Sequence, residues 1–213
     1  VQLEFEGRYA AMLSHEPKNY ALLGYDGALV MRGVAFRSSR MERFGETFLR
    51  EAVGHLLRGD VAGVRDAYVV SVEALQRRAV MTRDLTARVR LTKTPAEYHA
   101  GRSVRRELPY EALLSHGRSQ WHVGERIRVY RAAQGRAGLW PDADDDTDAA
   151  RDVRDYDVDF YLRVLRETFA ARLAHALTPE DFAAVFADPR QLALFPPALS
   201  HAQPILTVLD DPL

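Results

Sequence analysis

The 213-residue sequence contains no cysteine. That excludes a disulfide framework and any thiolate metal centre, and it fits a cytoplasmic chain. Lysine is nearly absent too: of 29 basic residues only Lys18 and Lys93 are lysine, and the rest are arginine. No apolar run is long enough to span a bilayer, and no charged stretch leads into an apolar one at the start. Neither a transmembrane helix nor a signal peptide is therefore expected. The seven histidines are scattered, which argues against a histidine metal site. What is present is 47% hydrophobic residues, enough to bury a core in one or two domains. The chain opens at Val1 inside an alternating pattern, which reads as a piece of a longer protein.

The net charge of −1 hides an uneven distribution. Residues 1–76 hold 9 basic and 10 acidic side chains, residues 77–136 hold 14 and 5, and residues 137–213 hold 6 and 15. A basic middle and an acidic end point to a polyanion-facing segment, or to two solvated blocks that pair with each other. Arginine's planar fork suits phosphate, although a GC-rich coding bias gives the same excess.

The chain is organised around residues 18–37. Two apolar runs, 20–24 and 28–32, flank Tyr25-Asp26-Gly27. Asp-Gly between such runs predicts a hairpin, because glycine accepts the positive φ the turn needs. Lys18 and Tyr20 enter it, Arg32 and Gly33 leave it, and Arg37 and Arg40 follow. Cations, an amphipathic ring and a glycine that permits close approach suit a surface lying along a nucleic-acid backbone; an ordinary surface hairpin reads the same way. Residues 1–5 alternate as a strand, and 8–13 either continue it or form a short helix.

After Arg40 the period becomes helical. Phe44, Phe48, Leu49, Ala52, Val53 and Leu56 share one face, Gly59-Asp60 ends the helix and offers the next N-cap, and a second helix runs over 61–78. Residues 87–91 alternate as a short strand with arginines on one side, leading to Lys93 and the breaker Thr94-Pro95. A short helix is expected over 109–117. Residues 121–132 alternate again, with Val123, Ile127 and Val129 inward and Arg126, Arg128 and Tyr130 opposite. That face either tracks phosphates or is a wet edge strand. Residues 138–148 read as a solvated acidic loop, and Asp146-Thr147-Asp148 within it lacks the apolar strand hairpin that a catalytic carboxylate pair needs. No catalytic or metal-binding residue is therefore assigned. One long helix is expected over 155–177, and Thr178-Pro179 begins another that Asp188-Pro189 stops.

Several of these stretches resemble family B DNA polymerases, in the family's order. Lys18-x-Tyr20-Ala21 with Arg32-Gly33-Val34 is similar to the end of the palm, where the family's motif is Lys-Lys-x-Tyr-Ala; Pro17 replaces the first lysine. Leu91-Thr92-Lys93-x-Pro95-x-Glu97-Tyr98, Gly124-Glu125-Arg126-Ile127-x-x-Tyr130 and Tyr156-Asp157-x-Asp159-Phe160-Tyr161-Leu162 resemble thumb segments. Gln191, Leu192, Leu194 and Phe195 match the Gln-Leu-x-Leu-Phe peptide with which bacterial DNA polymerases bind the sliding clamp. A core-packing tail is the alternative for those five residues.

The resemblance implies an α+β chain: a small antiparallel palm remnant over 1–42, a mostly helical thumb over 43–190, and a clamp-binding peptide and tail over 191–213. It implies that Lys18, Tyr20, Arg32, Gly33, Arg37, Arg40, Lys93, Arg126 and Arg128 face primer–template DNA. The parent enzyme would use Mg²⁺ held by carboxylates upstream of Val1, so this chain would be inactive alone, working beside the bacterial nucleoid. A non-catalytic accessory protein that binds DNA and recruits the clamp is the rival reading, and a helical protein-interaction domain is a third.

Overall fold

The computed structural model describes residues 7–141, 152–190 and 199–205. Within them the fold is α+β, with two three-stranded antiparallel sheets and six α-helices. The chain divides into two compact units. The described residues of one lie within Val1–Ser38, Glu46–Glu73 and Leu165–Leu213; those of the other lie within Ser39–Gly45 and Ala74–Val164. Among the described residues no helix is long and apolar enough to cross a membrane.

In the first unit β1 (Ala11–Glu16), β2 (Asn19–Leu23) and β3 (Leu29–Arg32) form a meander. The Asp-Gly turn joins β2 to β3 as its residues predict: Gly27 stands at φ +81°, and the Asp26 carboxylate accepts the Ala28 N–H at 3.0 Å. The ambiguous stretch before it is a strand, because β1 pairs with β2 through a second turn. Leu13, Ala21 and Met31 lie in register and are buried.

Helices α1 (Arg43–Leu56) and α2 (Val61–Gln76) follow where the apolar stripes place them. Phe48, Leu49, Ala52 and Val53 on α1, and Val64 and Val72 on α2, are buried. Gly59 at φ +75° ends the first helix, and Asp60 caps the second by accepting the Gly63 N–H at 2.8 Å. Arg58 donates to the carbonyls of Gly54 and Gly27 at 2.6 and 3.1 Å, which pins the β2–β3 turn to the helix end.

The single long helix expected over 155–177 is instead three segments. Tyr156 bridges to Ala132 in extended backbone, so α5 (Val158–Val164) begins later, with Asp157 accepting the Phe160 N–H at 3.0 Å. A π turn (Leu165–Phe169) and a 3₁₀ stretch (Ala170–Ala176) continue it. Within it Leu165, Phe169 and Leu173 are buried at four-residue spacing. A 3.6-residue helix rotates such a stripe off its face, and the wider π turn offsets that drift. Helix α6 (Pro179–Val185) begins at Thr178, whose hydroxyl accepts the Asp181 N–H at 3.1 Å. The last carbonyls take Arg65, only 7% exposed, which donates to Val185 and Ala187 oxygens at 2.8 and 2.6 Å.

In the second unit β4 (Ala87–Arg90), β5 (Arg126–Arg131) and β6 (Ala137–Trp140) form the other sheet in that order. Strand β6 corrects the expectation of a loop from Gly138 onward: Leu139 pairs with Val129 and Gly138 with Tyr130. Thr94-Pro95 is not a breaker but the start of α3 (Pro95–Gly101). The Thr94 hydroxyl accepts the Glu97 N–H at 3.3 Å and Glu97 accepts the Thr94 N–H at 2.7 Å, a reciprocal capping box with proline in the first turn. Helix α4 (Leu108–Ser115) lies within two residues of its predicted span. Leu91, Tyr98, Tyr110, Leu113, Trp121, Ile127 and Val129 make the core, with Tyr98 and Tyr110 stacked at 4.4 Å. Val123, expected inward, is 54% exposed, because β5 starts only after a turn containing Gly124 at φ +94°.

Candidate nucleic-acid interface

Strands β4 and β5 read Ala-Arg-Val-Arg and Arg-Ile-Arg-Val-Tyr-Arg, so each alternates cation and apolar side chain. Their antiparallel register sets Ala87 against Val129 and Val89 against Ile127 on the core side. On the other side it sets Arg88 against Arg128 and Arg90 against Arg126. Four guanidinium groups thus share one sheet face as two opposed pairs. Like charges directly across a ladder destabilise it unless other groups compensate them. Strand β6 adds Trp140 opposite Arg128. Arg90 and Arg126 are exposed, whereas Arg88 and Arg128 are half-buried.

Arg126 and Arg128 are legible in the sequence as a cationic strand face. Their partners Arg88 and Arg90 are not assigned there, because nothing in the one-dimensional pattern shows that two distant segments pair. The repeated Arg-x-Arg in each segment was the available signal.

Lys93 follows β4 and is engaged within the unit. Its ammonium lies 2.5 Å from Glu107 Oε1, its N–H donates to the Tyr110 hydroxyl at 2.9 Å, and its carbonyl accepts the Trp121 indole N–H at 2.9 Å. Beside it Glu111 takes both forks of Arg102 at 2.6 and 2.9 Å and the Tyr98 hydroxyl at 2.7 Å. The Arg102 guanidinium holds the Glu111 carboxyl down to about 2, so it stays ionised. Arg40, also in this unit, is exposed.

In the first unit the predicted residues gather at one end of the meander. Tyr20 pairs directly with Arg32, and Lys18 occupies the β1–β2 turn at φ +67°. Gly33 stands at φ +85°, and a Cβ there would lie 2.2 Å from the Lys18 carbonyl oxygen. The close approach this glycine permits is therefore to the chain's own backbone. Asn19, buried between Lys18 and Tyr20, closes the clasp by accepting the Ala35 N–H at 2.9 Å. Arg37 is exposed in the following turn, its N–H donating to Gly33 O at 2.9 Å.

Gln191, Leu192, Leu194 and Phe195 lie outside the described residues, as do Asp146, Thr147 and Asp148. Among the described residues no group of three or more histidine, aspartate or glutamate side chains is placed to hold a metal ion. No chemical step is assigned to the described residues.

No protein-family model matches the sequence, and no curated protein matches it. Among solved structures, the fold is similar to that of the family B DNA polymerase from the hyperthermophilic archaeon Pyrobaculum calidifontis. The TM-score is 0.55 at 23% identity, over 78% of this chain and 21% of that one. The chain thus spans about a fifth of that polymerase's length, and the likeness is one of fold.

Proposed function

We propose that this chain is the DNA-gripping carboxy-terminal part of a family B DNA polymerase of the bacterial DNA polymerase II kind. Residues 1–42 would be the end of the palm, 43–190 the thumb and 191–213 a clamp-binding peptide with its tail. The fold likeness and the order of the motifs support the family. The observation that carries DNA binding is the arginine-bearing face of β4 and β5, where Arg90 and Arg126 are exposed and directly opposed in register, since guanidinium forks side by side suit a polyanion's phosphates. Arg126, Arg128, Lys93 and Arg40 in one unit, and Lys18, Tyr20, Arg32, Gly33 and Arg37 in the other, are the proposed contacts to primer–template duplex. Leu194 and Phe195 would fill an apolar pocket on a sliding clamp, with Leu192 supporting them and Gln191 fixing register. The parent enzyme would carry its Mg²⁺ ligands elsewhere in its length.

The test is a titration of the chain with a labelled primer–template at two salt concentrations. Neutralised phosphates make log K fall with log salt at a slope of about −0.9 per contact; an affinity indifferent to salt removes the duplex reading. Replacing Leu194→Ala with Phe195→Ala should abolish clamp capture and leave DNA binding intact. Capture that survives the double replacement makes the peptide a structural tail.

A further inference from the structure

The second unit contains a partly open cleft of about 650 Å³ between α4, the β5–β6 strands and the turn joining them. Its volume lies in the range of small-ligand sites, about 300–1,000 Å³. Gly138 in its lining makes room for the Tyr130 ring, since a Cβ there would come 2.3 Å from it. Three arginines, Arg106, Arg131 and Arg136, line the cleft with two acids, Glu111 and Asp155.

Both acids are already committed. Glu111 is held by Arg102 and the Tyr98 hydroxyl, as described above. Asp155 accepts the Tyr130 hydroxyl at 2.8 Å and lies 3.5 Å from Arg136 Nη2. The cations have capacity left. Arg131 donates one Nη to Gly135 O at 3.0 Å while stacking 5.3 Å over Phe160, and Arg136 gives its Nε to Ala133 O at 3.2 Å. Arg106 is exposed at the rim. Each guanidinium carries five N–H donors, so most remain for a ligand. A carboxylate would occupy one fork; three forks around one cleft match a group with several terminal oxygens.

We propose that this cleft binds a phosphate monoester or polyphosphate, on a free small molecule or at the end of a nucleic-acid strand, through Arg106, Arg131 and Arg136. The site stands on the cleft alone. None of its residues is among those assigned to the duplex, so the two readings fail separately.

The experiment is calorimetric titration of the whole 213-residue chain with inorganic pyrophosphate, then with a 5′-phosphorylated oligonucleotide and its 5′-hydroxyl counterpart. Pyrophosphate should bind saturably, and Arg106→Ala with Arg131→Ala should weaken it by about tenfold or more. Arg126→Ala with Arg128→Ala should leave it unchanged. Tighter binding of the phosphorylated strand identifies a strand end as the source, and equal binding of the two strands identifies a free ligand; both support the cleft. Because Arg131 packs on Phe160, the rim variant Arg106→Ala alone provides the check that does not depend on refolding, with its near-ultraviolet dichroism compared to the parent. Pyrophosphate that fails to saturate, or binds equally to parent and Arg106→Ala proteins, overturns the proposal. Loss of pyrophosphate binding with salt-sensitive duplex binding retained overturns this inference and leaves the polymerase reading standing.

Discussion

The two sheets have the same strand count and pairing sense but opposite construction. The first is local: β1, β2 and β3 follow one another through two tight turns, and its face bears one opposed Tyr20–Arg32 pair. The second is assembled from β4 and β5, with α3 and α4 inserted between them, and it opposes arginine to arginine twice. A sheet whose turns fix its register needs little else. A sheet that must bring distant strands together needs a core to hold it, here Tyr98, Tyr110, Trp121 and the aliphatic residues around them. What that core sustains is a face where arginines stand opposite arginines, a pairing the first sheet does not have.

The largest expected effect breaks the comparison from the first unit's side. Arg65→Ala removes two charge-assisted bonds to Val185 and Ala187 and leaves those carbonyls without their donor. It should cost about 3 kcal/mol, read as a lower urea midpoint by far-ultraviolet dichroism. Both tryptophans, Trp121 and Trp140, belong to the second unit, so their emission reports that unit alone. Emission that keeps its midpoint separates the units; coincident transitions make them one cooperative body.

Glu111→Gln should act on the second unit, by about 2 kcal/mol, and move the tryptophan transition. The parent protein's acid sensitivity follows from the same carboxyl. Its folded value, about 2, lies below its ordinary 4.5, so its contribution is complete above pH 4.5 and is lost as pH falls towards 2. A urea midpoint followed over that window should drop in the parent and far less in Glu111→Gln. Equal slopes would show that other carboxylates dominate.

The smallest effects sharpen the contrast between the cationic faces. Arg90→Ala with Arg126→Ala removes an exposed like-charge pair, so stability should rise by up to about 1 kcal/mol. The same variant should bind duplex more weakly, with its salt slope shallower by about 1.8 if both groups meet phosphates. Lys18→Ala should leave stability nearly unchanged and reduce the slope by about 0.9. Unaltered slopes in either variant take that face off the duplex.

The fold was legible wherever a local signal decided it. The Asp26-Gly27 turn, the α1–α2 hairpin with its Gly59-Asp60 junction and the Thr178-Pro179 helix start all stand where their residues put them. Misreadings came where local signals were short or double. Thr94-Pro95 breaks a helix or begins one, and only the reach of Glu97 back to Thr94 shows which. Strand β6 reads Ala-Gly-Leu-Trp, with no polar residue to alternate against the apolar ones, and becomes a strand because β5 offers it an edge. The helix expected over 155–177 starts late because Tyr156 found an extended partner in Ala132, and a π turn and a 3₁₀ stretch replace its later turns.

Taken alone, the sequence determined the turns, the caps, the amphipathic helices and the alternation of cation with apolar residue, all of which depend on neighbours within a few positions. Tertiary structure decided which arginines face each other, that Gly33 serves Lys18's own carbonyl, and that Arg106, Arg131 and Arg136 share a cleft. The reason is physical: strand register and cavity lining are set by contacts between segments far apart in the chain, and no periodicity within one segment encodes its partner.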